Sequence, residues 1–287
     1  MLNKSVKPIW LASYPKSGNT WLRLFLSALL KDKSDINEIE TDGIISSRSI
    51  IDNFLGINSA DIPEQDFLKY RTKLYHNWAE SHKNKDYLLC KVHDACIRES
   101  EILFPPAITR GTIYILRNPF DMAASLANHH GLSIEGAVKA LCNHKFSLSS
   151  KTNCLPQQVS QYLGTWAYHV ESWANVHRGK ILLIKYEEML KNPFEEFSKV
   201  AKYLELSHSA EEIESAIMKT SFNSLKKQEE VHGFIETSAK ASSFFRSGKI
   251  GGWRNEITAQ QADYIIDCNY STLLKYQYID SNDNILI

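Results

Sequence analysis

The sequence predicts a single α/β domain over residues 1–287, with a central parallel β-sheet flanked by helices. Three observations predict it. Short, almost continuously apolar runs alternate with longer segments of helical period, the pattern of strands buried on both faces. Those runs end in cations, hydroxyls or an imidazole. No repeat, low-complexity tract or linker divides the chain, and one α/β domain with insertions reaches this length.

The elements follow in order. Ile9–Tyr14 reads as the first strand, Pro15–Asn19 as a turn, and Thr20–Lys31 as a helix with Leu22, Phe25, Leu26 and Leu29 at helical spacing. Tyr87–His93 is the second strand and Thr112–Arg117 the third. Pro119 stands where a first-turn proline opens the helix Phe120–Asn128. Gln157–His177 has the length of one long helix, and Lys180–Tyr186 is the fourth strand. A further helix starts near Pro193, with Phe194, Phe197, Ala201 and Leu204 on one face. Ser209 with Glu212, and Thr258 with Gln261, fit capping boxes that open later helices. The less regular stretches Asp32–Asp86, Gly131–Pro156 and Lys226–Lys249 read as loops that shape an acceptor site. Phe54, Phe104, Phe146 and Phe234 read as loop residues that line an apolar pocket or form satellite cores.

Composition narrows the function. Lys+Arg and Asp+Glu both number 33, so the formal net charge is zero. A protein that tracks a nucleic-acid backbone normally carries a basic excess, so no nucleic-acid partner is expected. The five cysteines, Cys90, Cys96, Cys142, Cys154 and Cys268, include no CxxC pair. They read as reduced thiols rather than metal ligands or a disulfide framework. Lys4 and Lys7 precede an apolar stretch broken by Ser13, Pro15 and Lys16, unlike a signal peptide. No run reaches the roughly 18 apolar residues of a membrane span, and the expected location is cytoplasmic.

In open parallel sheets, ligands bind beyond the carboxyl ends of the strands. The first strand runs into Tyr14-Pro15-Lys16-Ser17-Gly18-Asn19-Thr20-Trp21, the second into Lys91-Val92-His93, the third into Arg117 and the fourth into Lys185-Tyr186. Gathered at one sheet edge, these groups make a pocket for a strongly anionic ligand. A glycine turn followed at once by a helix presents backbone N–H groups and the positive helix end to an anion. The turn lacks the GxxxxGK[ST] pattern of a nucleotide P-loop, since its lysine precedes the glycine.

YPKSGNTW resembles the 5′-phosphosulfate loop, YPKSGTTW, of the cytosolic-type sulfotransferases that use 3′-phosphoadenosine 5′-phosphosulfate (PAPS). Arg117-Asn118-Pro119-Phe120-Asp121, with Ser125 eight residues after the arginine, is similar to that family's 3′-phosphate motif. Phe244-Phe245-Arg246-Ser247-Gly248-Lys249-Ile250-Gly251-Gly252-Trp253 resembles its FxRKGxxGDW motif. KVH, LIKYEEM and Thr220-Ser221-Phe222 match further segments, all in family order. The resemblance implies a P-loop-NTPase-like three-layer architecture. It also implies transfer of a sulfuryl group from PAPS to an acceptor hydroxyl or amine, releasing adenosine 3′,5′-bisphosphate (PAP), with no metal required.

The resemblance also implies residue roles. His93 is the general base, with Lys16 and Lys91 stabilising charge on the transferring group. Lys16, Ser17, Gly18, Asn19 and Thr20 hold the 5′-phosphate and sulfonate, and Trp21 stacks on adenine. Arg117 and Ser125 bind the 3′-phosphate, closed from the other side by Phe245, Arg246, Ser247 and Gly248. Tyr186, Thr220 and Phe222 contact the adenine. Ser247 and Gly252 depart from the family's Lys and Asp, and Asn19 from its Thr. Arg254–Ala259 matches the dimer motif KxxxTVxxxE loosely, so a homodimer stays open. The acceptor, whether small molecule, glycan or lipid, is not legible. Two rival readings stand: a P-loop-like nucleotide kinase, and a noncatalytic nucleotide-binding protein.

Overall fold

The computed structural model describes residues 6–39, 41–82, 84–85, 87–150 and 155–287. Lys4 and Cys154 lie outside them. In chain order the elements are β1 (Lys7–Ser13), α1 (Asn19–Lys31), β2 (Gly43–Ile44), α2 (Arg48–Leu55), α3 (Glu64–Ser81), β3 (Tyr87–Val92), β4 (Ile97–Arg98), β5 (Glu101–Ile102), β6 (Gly111–Leu116), α4 (Pro119–His130) and α5 (Ile134–Leu141). They continue with β7 (Ser147–Leu148), β8 (Gln161–Tyr162), α6 (Trp166–Val176), β9 (Ile181–Lys185), α7 (Tyr186–Lys191), α8 (Pro193–Tyr203), α9 (Ala210–Lys219), α10 (Phe222–His232) and α11 (Ala259–Lys275). Five strands form one parallel sheet in the order β2-β3-β1-β6-β9. β4 pairs with β5, and β7 with β8, in two short antiparallel sheets.

Strand side chains alternate between faces, and the sheet divides the core accordingly. Trp10, Ala12, Leu88, Cys90, Tyr114 and Leu116 enter one buried cluster with α3, α4, α5, α6 and α11. Ile9, Leu11, Leu89, Ile113, Ile115 and Ile184 enter another with α1, α7, α8 and α9. The result is the expected α/β architecture of a central parallel sheet between two helical layers. A third, smaller cluster of Leu24, Ile36, Leu225, Phe234 and Phe245 joins α1 and α10 to the segment before the glycine-rich motif.

Several expectations need correction. The stretch from 157 to 177 is not one helix. β8 comes first, Gly164 turns the chain at φ 66°, and Thr165 caps α6 by accepting from Tyr168 N–H at 3.1 Å. The stretches read as loops contain α2, α3, α5 and most of α10. α3 was illegible because Phe67, Leu74, Tyr75 and Trp78 are its buried face amid many charges. Phe104 is no pocket residue; it is fully buried against Trp10, Tyr75 and Trp173. Phe54 and Phe146 pack against that same core. Both capping boxes form, at Ser209/Glu212 and Thr258/Gln261.

The turn after β3 is held from the core. Asp94 accepts from the Arg71 guanidinium on α3 at 2.8 and 2.6 Å, and from Tyr162 N–H at 3.2 Å. Both charged side chains are 0% exposed. Trp173 Nε1 donates to Asp94 C=O and His169 Nε2 to His93 C=O, each at 2.9 Å. These contacts clamp the backbone of His93 from α3 and α6. Removing one partner of a buried pair strands the other charge, at a cost of about 3–5 kcal/mol. Asp94→Ala is therefore expected to lower unfolding free energy by about 3–5 kcal/mol in urea titration. A loss below about 1 kcal/mol would show that the pair does not secure this turn.

Candidate active site

The strands end one residue short of the chemistry. β1 stops at Ser13, β3 at Val92, β6 at Leu116 and β9 at Lys185, so the turn after β1, His93, Arg117 and Tyr186 follow at one edge. Pro15, Lys16, Gly18, His93, Arg117 and Tyr186 border a cavity of about 750 Å³. Lys16, Gly18, Asn19, Thr20, Trp21, Lys91, His93, Arg117, Ser125, Tyr186, Phe222, Phe245, Arg246, Ser247 and Gly248 all line it.

The turn after β1 is built on backbone geometry that favours glycine at its end. Gly18 has φ 103°, and a Cβ there would meet the Tyr186 ring at 2.7 Å, so a side chain would be both strained and crowded. The first helical bond of α1 runs from Leu22 N–H to Gly18 C=O at 3.2 Å. The N–H groups of Asn19, Thr20 and Trp21 precede it and have no acceptor within the helix. Asn19's side chain points inward: its amide donates to Leu11 C=O at 2.9 Å and its Oδ1 accepts from Arg23 Nε at 3.0 Å. Only its backbone N–H is left for a ligand.

Arg117 lies where that turn meets β6. It is 8% exposed, donates to Lys16 C=O at 2.8 Å, and lies over the Tyr186 ring at 4.2 Å. Asp121, four residues on, forms no ion pair with it. Asp121 instead accepts from the N–H groups of Gly251 and Trp253, each at 2.9 Å. This fastens the start of α4 to the glycine-rich motif, beside the position where Gly252 replaces the family's Asp. Arg246 forms a fork with Glu256 at 2.6 and 2.9 Å, so the segment resembling a dimer motif is engaged within the chain. The Nε atoms of Arg117 and Arg246 are buried without a hydrogen-bond partner among the described residues, as is Trp21 Nε1. Donors left open at one cavity suit an anionic, hydrogen-bonding ligand.

His93 is held in one tautomer. Its Nδ1 lies 2.9 Å from Ser13 C=O. A carbonyl only accepts, so Nδ1 carries the proton and Nε2 keeps its lone pair. Burial, then the charge of Lys91, pushes its pKa well below the usual 6.5. Lys16 is pulled to about 7 by burial and then by Arg117 and Lys91, and its ammonium sits over the Phe244 ring at 3.9 Å. Lys91 is pulled to about 8 by burial and by Arg23.

Two predicted site residues do not reach the cavity. The Ser17 hydroxyl is buried toward Met122 Sδ at 3.7 Å. The Thr220 hydroxyl closes α9 by donating to Ala216 C=O at 2.8 Å. Other lining residues were missed: Arg23's partner Glu236, the histidines His129 and His130, and Gln157, Gln158 and Gln161. Arg23 itself was within reach of sequence reasoning, since it falls three and four residues after Thr20 and Asn19 on one helix face. Glu236 carried no local signal.

A cationic cavity at the carboxyl edge of a parallel sheet, capped by a helix N-terminus, defines an anion-binding α/β protein. The chain belongs to the sulfotransferase family: the model of the sulfotransferase domain matches residues 7–275. It is similar to cytosolic sulfotransferase 12 of Arabidopsis thaliana, 26% identical over 90% of this chain and 74% of that protein. It is also similar to mouse sulfotransferase 1B1, 25% identical over 89% and 79% of the two chains. Among solved structures its fold resembles retinol dehydratase in a complex with retinol and PAP, at TM-score 0.58 and 19% identity over 93% and 81% of the chains. The complex of mouse sulfotransferase SULT7A1 with PAP gives 0.53 and 19% over 96% and 85%.

Lysine charge at this site is expected to titrate near neutrality. Both ammonium groups are charged below these pKa values and are neutral above them, so attraction for anions weakens as pH rises through about 7 to 8. NMR of protein labelled at lysine Cε should find one midpoint near about 7, lost in Lys16→Met, and one near about 8. Midpoints at the ordinary value of about 10.4 for both would refute the burial argument.

Proposed function

We propose that the protein transfers a sulfuryl group from PAPS to the hydroxyl or amine of a small-molecule acceptor, with His93 as general base. One observation carries the reading. The Lys16 turn and Arg117 touch each other, at 2.8 Å, beside a single cavity that also reaches Ser125, Arg246 and His93. One ligand with charge at both its 5′ and 3′ positions can therefore span them.

Strand order supports a division of the cavity. From β1 at the centre, β6 and β9 bring Arg117 and Tyr186 to one side, while β3 and β2 bring Lys91, His93 and Ile44 to the other. The nucleotide lies on the first side, with its 3′-phosphate at the open donors of Arg117 and Arg246 and its base near Trp21, Tyr186 and Phe222. The acceptor enters on the second side, along Ile44, Leu148 and Gln158.

The acceptor heteroatom attacks sulfur in line as the bond from sulfur to the bridging 5′-phosphate oxygen breaks. His93 Nε2 takes the acceptor's proton; the neutral imidazole has that lone pair available at pH 7. Lys16 meets the charge that collects on the departing phosphate, and Lys91 the oxygens of the moving sulfuryl group. The product nucleotide is PAP. The family assignment and the second cationic cluster, which ATP would leave unused, favour this reading over a nucleotide kinase.

Two measurements test it. His93→Ala is expected to lower turnover at least about 100-fold while calorimetric affinity for PAP is unchanged; retained turnover would remove His93 from the mechanism. Arg117→Ala is expected to weaken PAP binding about tenfold or more, the worth of a charge-assisted hydrogen bond. Unchanged nucleotide affinity would break the 3′-phosphate assignment.

A further inference from the structure

The donor cradle already holds an anion. Glu236, on the segment between α10 and the glycine-rich motif, reaches into the cavity with its side chain 18% exposed. Its carboxylate accepts from the Thr20 hydroxyl at 2.9 Å and from Arg23 at 2.9 and 2.7 Å, and lies 3.4 Å from Lys91 Nζ. Arg23 is only 2% exposed and also donates to Thr20 Oγ1 at 3.0 Å.

We infer that Glu236 is a built-in anion occupying the sulfuryl end of the donor site, and that Arg23 beneath it is a further donor-binding cation, the carboxylate withdrawing when PAPS enters. The inference rests on the donor reading above and adds two residues to it. The Thr20 hydroxyl has one proton, and Glu236 takes it. The nearest ammonium of the cradle, Lys91, faces the same carboxylate. A phosphosulfate cannot use these donors while a second anion holds them, because the hydroxyl proton is taken and two anions within contact distance repel. Exchange keeps the cations satisfied: Arg23, Thr20 and Lys91 release a carboxylate and receive sulfonate or phosphate oxygens.

The chain around Glu236 is built for such a movement of the side chain alone. On one side Ile235 N–H donates to Asn37 Oδ1 at 2.9 Å, and Asn37 Nδ2 donates to Gly233 C=O at 3.1 Å. On the other, Glu229 accepts from the Thr237 hydroxyl at 3.1 Å and from the N–H groups of Phe244 and Phe245 at 2.6 and 2.9 Å. The backbone is thus pinned before and after Glu236. Neighbouring Ile235 is 80% exposed, so solvent is one residue away. A carboxylate kept only to neutralise Arg23 would be sealed in the core, as Asp94 is against Arg71; this one forms part of the cavity wall.

The test is calorimetric titration of PAPS, without acceptor, and of PAP into wild type, Glu236→Gln and Glu236→Ala. The amide keeps the shape and an acceptor oxygen but loses the charge. PAPS is expected to bind the Gln variant about tenfold more tightly than wild type, with a smaller gain for PAP, which lacks the sulfuryl group. In the Gln background, Arg23→Met is expected to reverse the gain. Equal or weaker PAPS binding in both Glu236 variants would overturn the inference and leave Glu236 as a fixed counterion. If the variants fail to fold, a crystal structure of the wild type with the donor decides. Glu236 beyond hydrogen-bond distance of Thr20 and Lys91 supports the exchange, and retained contacts overturn it. Wild type that binds neither nucleotide would remove the donor reading itself, whereas equal affinities across the series remove only the role of Glu236.

Discussion

The constraint on which the rest of this structure depends is the crowding of cations at one edge of a parallel sheet. Lys16, Arg23, Lys91, Arg117 and Arg246 border one cavity or lie directly beneath it, and the first four are largely shielded from water. Such groups lose hydration and repel one another, so each needs an answering group. Arg117 has a carbonyl and an aromatic face, Lys16 an aromatic face, Arg246 the Glu256 carboxylate, and Arg23 with Lys91 the Glu236 carboxylate. The cost of holding these charges together is what makes the site receptive to a multiply charged ligand.

The scaffold answers that strain with rigidity away from the ligand. Asp94 and Arg71 tie the end of β3 to α3, and His169 and Trp173 tie it to α6. His93 then has a fixed backbone, and Ser13 C=O fixes its ring. On the opposite side Asp121 ties α4 to the glycine-rich motif, which joins two borders of the cavity. The Arg71–Asp94 pair is sealed within the core, while Glu236, which pairs with Arg23 and Lys91, forms part of the cavity wall.

Much of this was legible in the sequence. Each of the four main strands was an apolar run, and the polar residues that follow them are local in the chain. Their arrival at one edge follows from parallel pairing alone. The Gly18 turn announced itself because a tight turn into a helix has few chemical solutions. Less legible were helices such as α3, whose apolar face is narrow, and the break before α6, where Gly164 and Thr165 outweigh the length of the segment. Ser17 and Thr220 were assigned to the site by motif, yet packing turned both hydroxyls away, toward Met122 and into α9.

The sequence by itself determined the sheet, the sign of its charged edge and the family of chemistry, because strand periodicity and short motifs are encoded by neighbouring residues. Only the tertiary structure decided which groups meet. Glu236 comes to Arg23 from 213 residues away and to Lys91 from 145, and the order β2-β3-β1-β6-β9 places Arg117 and Tyr186 on one side of β1 and Lys91 and His93 on the other. The physical reason is that closing so long a loop costs little more than closing a shorter one. Chain separation therefore says almost nothing about contact, and packing of the finished layers selects the partner.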